Sequence, residues 1–313
     1  LRVVGASGAR EPRWPHGGSH GGRRLKAPTA PPVLSPDAHK GDAGRVLIVA
    51  GSAMMPGAAI LAGRGALRAG AGLVTIACQD RALTEVLPAA IPEATYLDLD
   101  GRAFGGLLSE RADHAIACGP GLGVAAGIRD LVDVLIQEFT GPIVLDADAL
   151  NVLGPEPERL AAAVGQLVIT PHPGEASRLL GREVTAEPED RRDAAMELAR
   201  RSEAVVCLKG RGTVVTDGER IEVNETGNPG LATAGSGDVL SGICVAYLAA
   251  SQRDPSDGFD VLNAARAAVH VHGLAGDLAR DELGERAVTA SDLVAHLPAA
   301  QTAHLAAATE TER

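Results

Sequence analysis

The sequence predicts an α/β protein built on a mostly parallel sheet with helices on both faces, and three observations carry that expectation. Short β-branched runs bounded by Gly or Pro alternate with longer helical segments. Hydrophobic residues make up 45% of the chain, yet aromatics only 2%, against 38 glycines. Such small aliphatic side chains suit strands packed closely between helical layers. The length of 313 residues gives room for one large α/β domain, and no internal repeat or linker divides it.

The elements follow in order. Strands are expected at 45–50, between Gly44 and Gly51, and at 73–78, then at 114–118 and 142–145. Further strands are expected at 166–170, which stops at Pro171, and at 204–208 and 213–216. Helices are expected at 56–69 and 188–202, with Pro56 and Pro188 in the first turn, and at 127–139 and 237–250. Residues 1–36 read as a disordered leader rich in Gly, Pro, Arg and His, with Glu11 the only acid before Asp37. It lacks the apolar region of a secretory signal. A transit peptide, an upstream linker and an over-long gene start stay open, the last two favoured. The ordered domain is expected at 37–298 and a flexible tail at 299–313.

Composition excludes several partners. A net charge of −11 argues against nucleic acid and anionic membranes. No apolar run reaches the length of a membrane span. Cys78, Cys118, Cys207 and Cys244 show no metal-ligand spacing and read as buried reduced thiols. A soluble cytoplasmic protein is the expectation. Of 29 basic residues only Lys26, Lys40 and Lys209 are lysines, so a Lys in a glycine-flanked loop stands out.

In open α/β sheets ligands sit at the carboxyl ends of the strands, and the unusual loops fall there. The run Asn228-Pro-Gly-Leu-Ala-Thr-Ala-Gly-Ser-Gly-Asp238 precedes an apolar helix. Gly235, Ser236 and Gly237 let backbone N–H groups converge into an anion hole at the positive end of the helix. Asp238, kept ionised by the same dipole, is placed to take a proton from a substrate hydroxyl; a plain helix cap is the competing reading. Lys209, Gly210, Arg211, Gly212 and Thr213 form a candidate phosphate clamp between two strands, with the Thr213 hydroxyl as a further donor. No Walker motif occurs. His172, held between Pro171 and Pro173 in a stretch barred from helix and ladder, reads as a ligand contact. Asp146 and Asp148 either face one Mg²⁺ or order their loop. The segment 121–126 also matches G-x-G-x-x-A, but that match is degenerate in so glycine-rich a chain and brings no hydride-transfer constellation. Gly57, Ala58 and Ala59 would let a flat group approach the backbone.

Taken together, HKGDAG, VAGS, MPGAA, RAGAGLV, CGPGLG, LDADALN, TPHPGE, LKGRGT and NPGLATAGSGDVLSGI, spread over residues 39–297, resemble the ADP/ATP-dependent NAD(P)H-hydrate dehydratases of the ribokinase-like superfamily. That family forms the carboxy-terminal half of bifunctional NAD(P)HX repair proteins. The resemblance implies a three-layer α/β/α ribokinase-like fold without a lid domain, a homotetramer, and use of Mg²⁺ with ADP or ATP as phosphoryl donor. It implies conversion of NADHX and NADPHX to NADH and NADPH, by phosphorylation of the ring hydroxyl and loss of phosphate. Ala59, Gly121, Gly123, His172 and Asp238 would then contact the hydrated dinucleotide; Lys209 to Thr213 and Gly235 to Gly237 would hold the ADP or ATP. No residue is assigned as a metal ligand. Ala234 departs from the glycine often found there. The family's companion epimerase domain does not stand among these residues, so either a separate epimerase is required or that half lies outside this sequence. The alternative is a small-molecule kinase of the same superfamily acting on a vitamin precursor.

Overall fold

The computed structural model describes residues 23–24, 28–99, 104–125, 127–253 and 258–311. Its strands are β1 (Arg23–Arg24), β2 (Arg45–Val49), β3 (Leu73–Cys78), β4 (Thr95–Asp98), β5 (Ala115–Cys118), β6 (Ile143–Leu145), β7 (Leu167–Ile169), β8 (Val205–Leu208), β9 (Val214–Thr216) and β10 (Arg220–Val223). They make one ten-stranded sheet in the order β1-β10-β9-β8-β7-β6-β5-β2-β3-β4. From β8 to β4 every pairing is parallel, and β9 runs antiparallel to both β8 and β10.

Alternation along the strands feeds two cores. On β2, Val46 and Ile48 face one hydrophobic cluster while Leu47 and Val49 face the other, and all four are fully buried. The first cluster takes in α1 (Pro56–Arg68), α8 (Ser236–Ser251), α9 (Val261–Leu283) and α10 (Ala290–Thr311). The second takes in α3 (Phe104–Ser109), α4 (Ile128–Glu138), α5 (Asp148–Asn151), α6 (Pro173–Leu180) and α7 (Pro188–Ser202). The short α2 (Leu83–Ala90) covers the β4 side. Helix α8 lies against α1 so closely that a Cβ on Gly242 would stand 2.1 Å from the Ala62 carbonyl oxygen. The result is helix, sheet and helix in three layers.

Most of the expected leader lies outside the described residues; within it, Arg23–Arg24 pair parallel to β10. The expected flexible tail at 299–313 is corrected: α10 runs on through Thr311. The segment is alanine-rich, which favours helix, and it inserts Ala300 and His304 into buried positions, 0% and 3% exposed. Strands β4 and β10 and helix α9 were not among the expected elements; neither strand's residues are fully buried, so neither produces a continuous apolar run.

Candidate active site

The segments that follow β2, β5, β6 and β7 and the start of α8 surround a cavity of about 530 Å³. Its walls include Met55, Ala58, Gly121, Glu175, Gly235 and Asp238. The loops after β5 and β6 are locked together at its floor. The chain after β5 passes so close to the β6 loop that a Cβ on Gly119 would lie 1.8 Å from the Asp146 carbonyl oxygen, at φ +132°. Gly123 N–H donates to Asp148 Oδ2 at 2.8 Å. Between the two aspartates, Ala147 has φ +48° and ψ −115°, a strained backbone for a residue with a Cβ, and it lines the cavity.

That turn sends Asp146 and Asp148 in different directions. Asp146, 2% exposed, accepts from Lys209 Nζ at 2.7 Å and from Ser241 Oγ at 2.7 Å. Burial alone would raise its pKa, but the Lys209 ammonium and the hydrogen bonds hold it below the ordinary carboxylate range. Burial would likewise lower the Lys209 pKa, yet Asp146, Glu175 and Asp238 hold it above the usual value. Lys209 Nζ is 3.7 Å from Glu175 Oε2, so the ammonium is fixed between two carboxylates at the edge of the cavity. Of the two readings of the aspartate pair, ordering the loop is what the geometry supports.

Asp238 stands in the first turn of α8 on the cavity wall. The sequence reading kept it ionised through the helix dipole; here burial, then the Asp146 and Asp148 carboxylates, push its pKa up to about 6, with Lys209 acting the other way. Desolvation and like charge outweigh the dipole. A carboxylate so tuned is a better base near neutral pH than an ordinary Asp. Gly235, at φ +86°, is the N-cap of α8. Ser236 N–H donates back to the Thr233 carbonyl at 3.3 Å, which leaves the first-turn N–H groups of Gly237 and Asp238 with no acceptor within the helix, at its positive end. A Cβ on Gly237 would lie 3.5 Å from Lys209 Nζ, which places the ammonium beside those amides.

Other expected residues fall into different roles. The Ser236 side chain turns inward, its Oγ 3.1 Å from His272 Nε2, and its backbone is engaged as well: the N–H donates to the Thr233 carbonyl at 3.3 Å and the carbonyl lies 3.0 Å from His272 Nε2. His172 is the N-cap of α6: its Nδ1 accepts from Gly174 and Glu175 N–H, and Glu175 Oε2 accepts from His172 N–H at 2.8 Å. Pro173 therefore begins a helix at its first position instead of preventing one. The imidazole remains 50% exposed. Ala59 is fully buried, and its neighbour Ala58 lines the cavity instead. Thr213 Oγ1 donates to the Gly210 carbonyl at 3.2 Å, within its own loop. Glu175, Ser241, His272 and Arg191 were missed. Arg191 sits in a helix of charged residues at 188–202, and nothing local marks it out from Arg192 beside it.

The comparisons with known proteins agree with this geometry. Residues 46–299 match the family described as NAD(P)H-hydrate dehydratase. The chain belongs to that family. It is 43% identical to a bifunctional NAD(P)H-hydrate repair enzyme of Moorella thermoacetica, over 83% of this chain and 49% of that protein, so it spans about half the length of such bifunctional relatives. It is 38% identical to an ADP-dependent (S)-NAD(P)H-hydrate dehydratase of Neisseria meningitidis, over 83% of this chain and 85% of that one. Among solved structures, the ADP/ATP-dependent dehydratase of Bacillus subtilis co-crystallised with ATP/Mg²⁺ superposes with a TM-score of 0.76 at 33% identity, covering 88% of this chain and 95% of that one. A ribokinase-like superfamily protein of Enterococcus faecalis, 23% identical with a TM-score of 0.73 over 91% of this chain and 96% of that one, shares the fold. The NAD(P)H-hydrate dehydratase fold here is thus ribokinase-like.

Proposed function

We propose that this chain is an ADP- or ATP-dependent NAD(P)H-hydrate dehydratase, acting on the S forms of NADHX and NADPHX. The observation that carries the reading is Asp238, a carboxylate tuned to about 6 on the wall of the cavity, beside open α8 amides and the Lys209 ammonium. Asp238 takes the proton of the hydroxyl on the hydrated ring, and the freed oxygen attacks the terminal phosphorus of the nucleotide, breaking its bridging P–O bond and releasing AMP from ADP or ADP from ATP. The amides at the start of α8 and the Lys209 ammonium stabilise the phosphoryl group in transfer. Phosphate then leaves with the ring C–O bond, a proton leaves the adjacent carbon, and the dihydronicotinamide double bond returns.

Several finer points belong to this reading. Gly121 and Gly123, with the exposed His172 ring, would border the dinucleotide. Gly235 to Gly237 and residues Lys209 to Thr213 would hold the ADP or ATP. Among the described residues no group of three or more His, Cys, Asp or Glu forms a metal cage. Mg²⁺ entering with nucleotide phosphates needs only one or two carboxylates, and Glu175 on the cavity wall fits that need. The ion would neutralise phosphate charge. A homotetramer and supply of substrate by an NAD(P)HX epimerase complete the proposal. Among the described residues no helix is long and apolar enough to cross a membrane.

The test is recovery of the near-ultraviolet absorbance of reduced nicotinamide from NADHX with ADP or ATP. The native chain should restore it and release phosphate, and Asp238→Asn should lose about 10²–10⁴ in rate. No recovery with either nucleotide, or a stable phosphorylated vitamin precursor formed instead, would replace the dehydratase by a kinase of the same fold.

A further inference from the structure

The nucleotide loop 209–213 is organised from behind by one side chain that no motif contains. Arg191, on α7 and 5% exposed, points its guanidinium at the backbone of this loop. Its Nη1 donates to the Arg211 carbonyl at 2.6 Å, and its Nη2 to the carbonyls of Leu208 at 3.1 Å, Lys209 at 3.4 Å and Gly212 at 3.0 Å. The remaining carbonyl of the run, that of Gly210, accepts from Thr213 Oγ1. Every carbonyl from 208 to 212 is therefore held by a side-chain donor.

A trans peptide is planar, with its C=O and the following N–H pointing in opposite directions. Carbonyls drawn toward Arg191 thus turn the N–H groups of Gly210, Gly212 and Thr213 to the opposite side. Among the described residues none accepts from those three N–H groups. Gly210 at φ +138° and Gly212 at φ +67° make the required curl. Successive amides pointing outward from such a turn form an anion-binding concavity. The positive charge behind it has no carboxylate partner among the groups that shift it; burial alone lowers its pKa.

We infer that Arg191 is the positioning residue of the nucleotide site: it holds residues 208–212 with their amides facing the ADP or ATP phosphates and lends the site its charge without touching the ligand. The inference rests on the nucleotide reading of this loop. A neutral side chain leaves four carbonyls without their donor, and lysine, with one head group instead of a planar fork, reaches fewer of them.

Calorimetric titration of the full chain with ADP, ATP and, separately, NADPH tests it. If the unaltered protein binds neither ADP nor ATP, the nucleotide reading fails on its own account and the inference falls with it. Arg191→Met is expected to weaken ADP by about ten-fold or more and Arg191→Lys by less, since each lost charged hydrogen bond is worth roughly a ten-fold change. NADPH affinity should stay within about two-fold, and the rise in nucleotide KM should exceed the fall in kcat. If Arg191→Met does not fold, Arg191→Lys and Thr213→Val, which releases the Gly210 carbonyl, carry the same expectation. Unchanged ADP binding in folded variants, or equal weakening of ADP and NADPH, overturns the assignment.

Discussion

Asp238 shows how a single residue is read twice. Its place at the first turn of α8 is legible in the sequence, because Gly-Ser-Gly-Asp before an apolar run marks a helix start. Its protonation is not, because Asp146 and Asp148 approach it only once β6 and α8 are folded side by side. With a pKa near 6, kcat/KM should fall as pH drops through about 6, on a limb absent from Asp238→Asn. The same shift bears on stability. The folded state keeps the Asp238 proton up to about 6 while the unfolded chain releases it near 3.8, so above that window the ionised group is a burden on the fold. Two pKa units correspond to at most about 3 kcal/mol. Asp238→Asn should therefore raise the melting temperature at neutral pH while removing activity. A lower melting temperature would show that the carboxylate is a structural cap.

Elements explain which parts of the site were visible beforehand. Strands β2, β3, β5, β6, β7 and β8 are buried on both faces and read as apolar runs. The loops after them, and so most of the cavity, follow directly. Residues that reach the site across the fold carry no such signal: Ser241 on Asp146, His272 on Ser236 and Arg191 on the 208–212 loop act over separations that no local pattern encodes. Helix α10 failed for the opposite reason. Its polar last turns look like a tail until Ala300 and His304 are seen to be buried. Ending the chain after residue 298 should therefore cost stability, by about 1–3 kcal/mol for the lost packing, measurable as a lower urea midpoint. An unchanged midpoint would restore the flexible-tail reading.

At the scale of the whole molecule, the layers that build the site also bury titratable groups that oppose one another. His272 and His270, both on α9, have pKa values lowered from 6.5 to about 4, chiefly by burial, with His304 adding to the shift at His270. The His304 pKa is also lowered by burial. Between pH 6.5 and 4 the unfolded chain takes up protons at these histidines that the folded chain refuses, so their contribution to stability is present above 6.5 and lost as pH falls toward 4. Asp238 acts oppositely, its folded form holding a proton between 3.8 and about 6. Histidines outnumber the aspartate, so acid should win. The urea midpoint should fall from neutral pH to about pH 4.5, by an amount on the order of 3 kcal/mol for each histidine shift not offset. Asp238→Asn should steepen that fall, because it removes the opposing group. His272→Gln, whose amide still donates to the Ser236 carbonyl, should flatten it. A midpoint independent of pH in the native protein, or an unchanged slope in His272→Gln, would show that these histidines are protonated at no cost to the fold and that the α8–α9 layer is more open to water than its packing indicates.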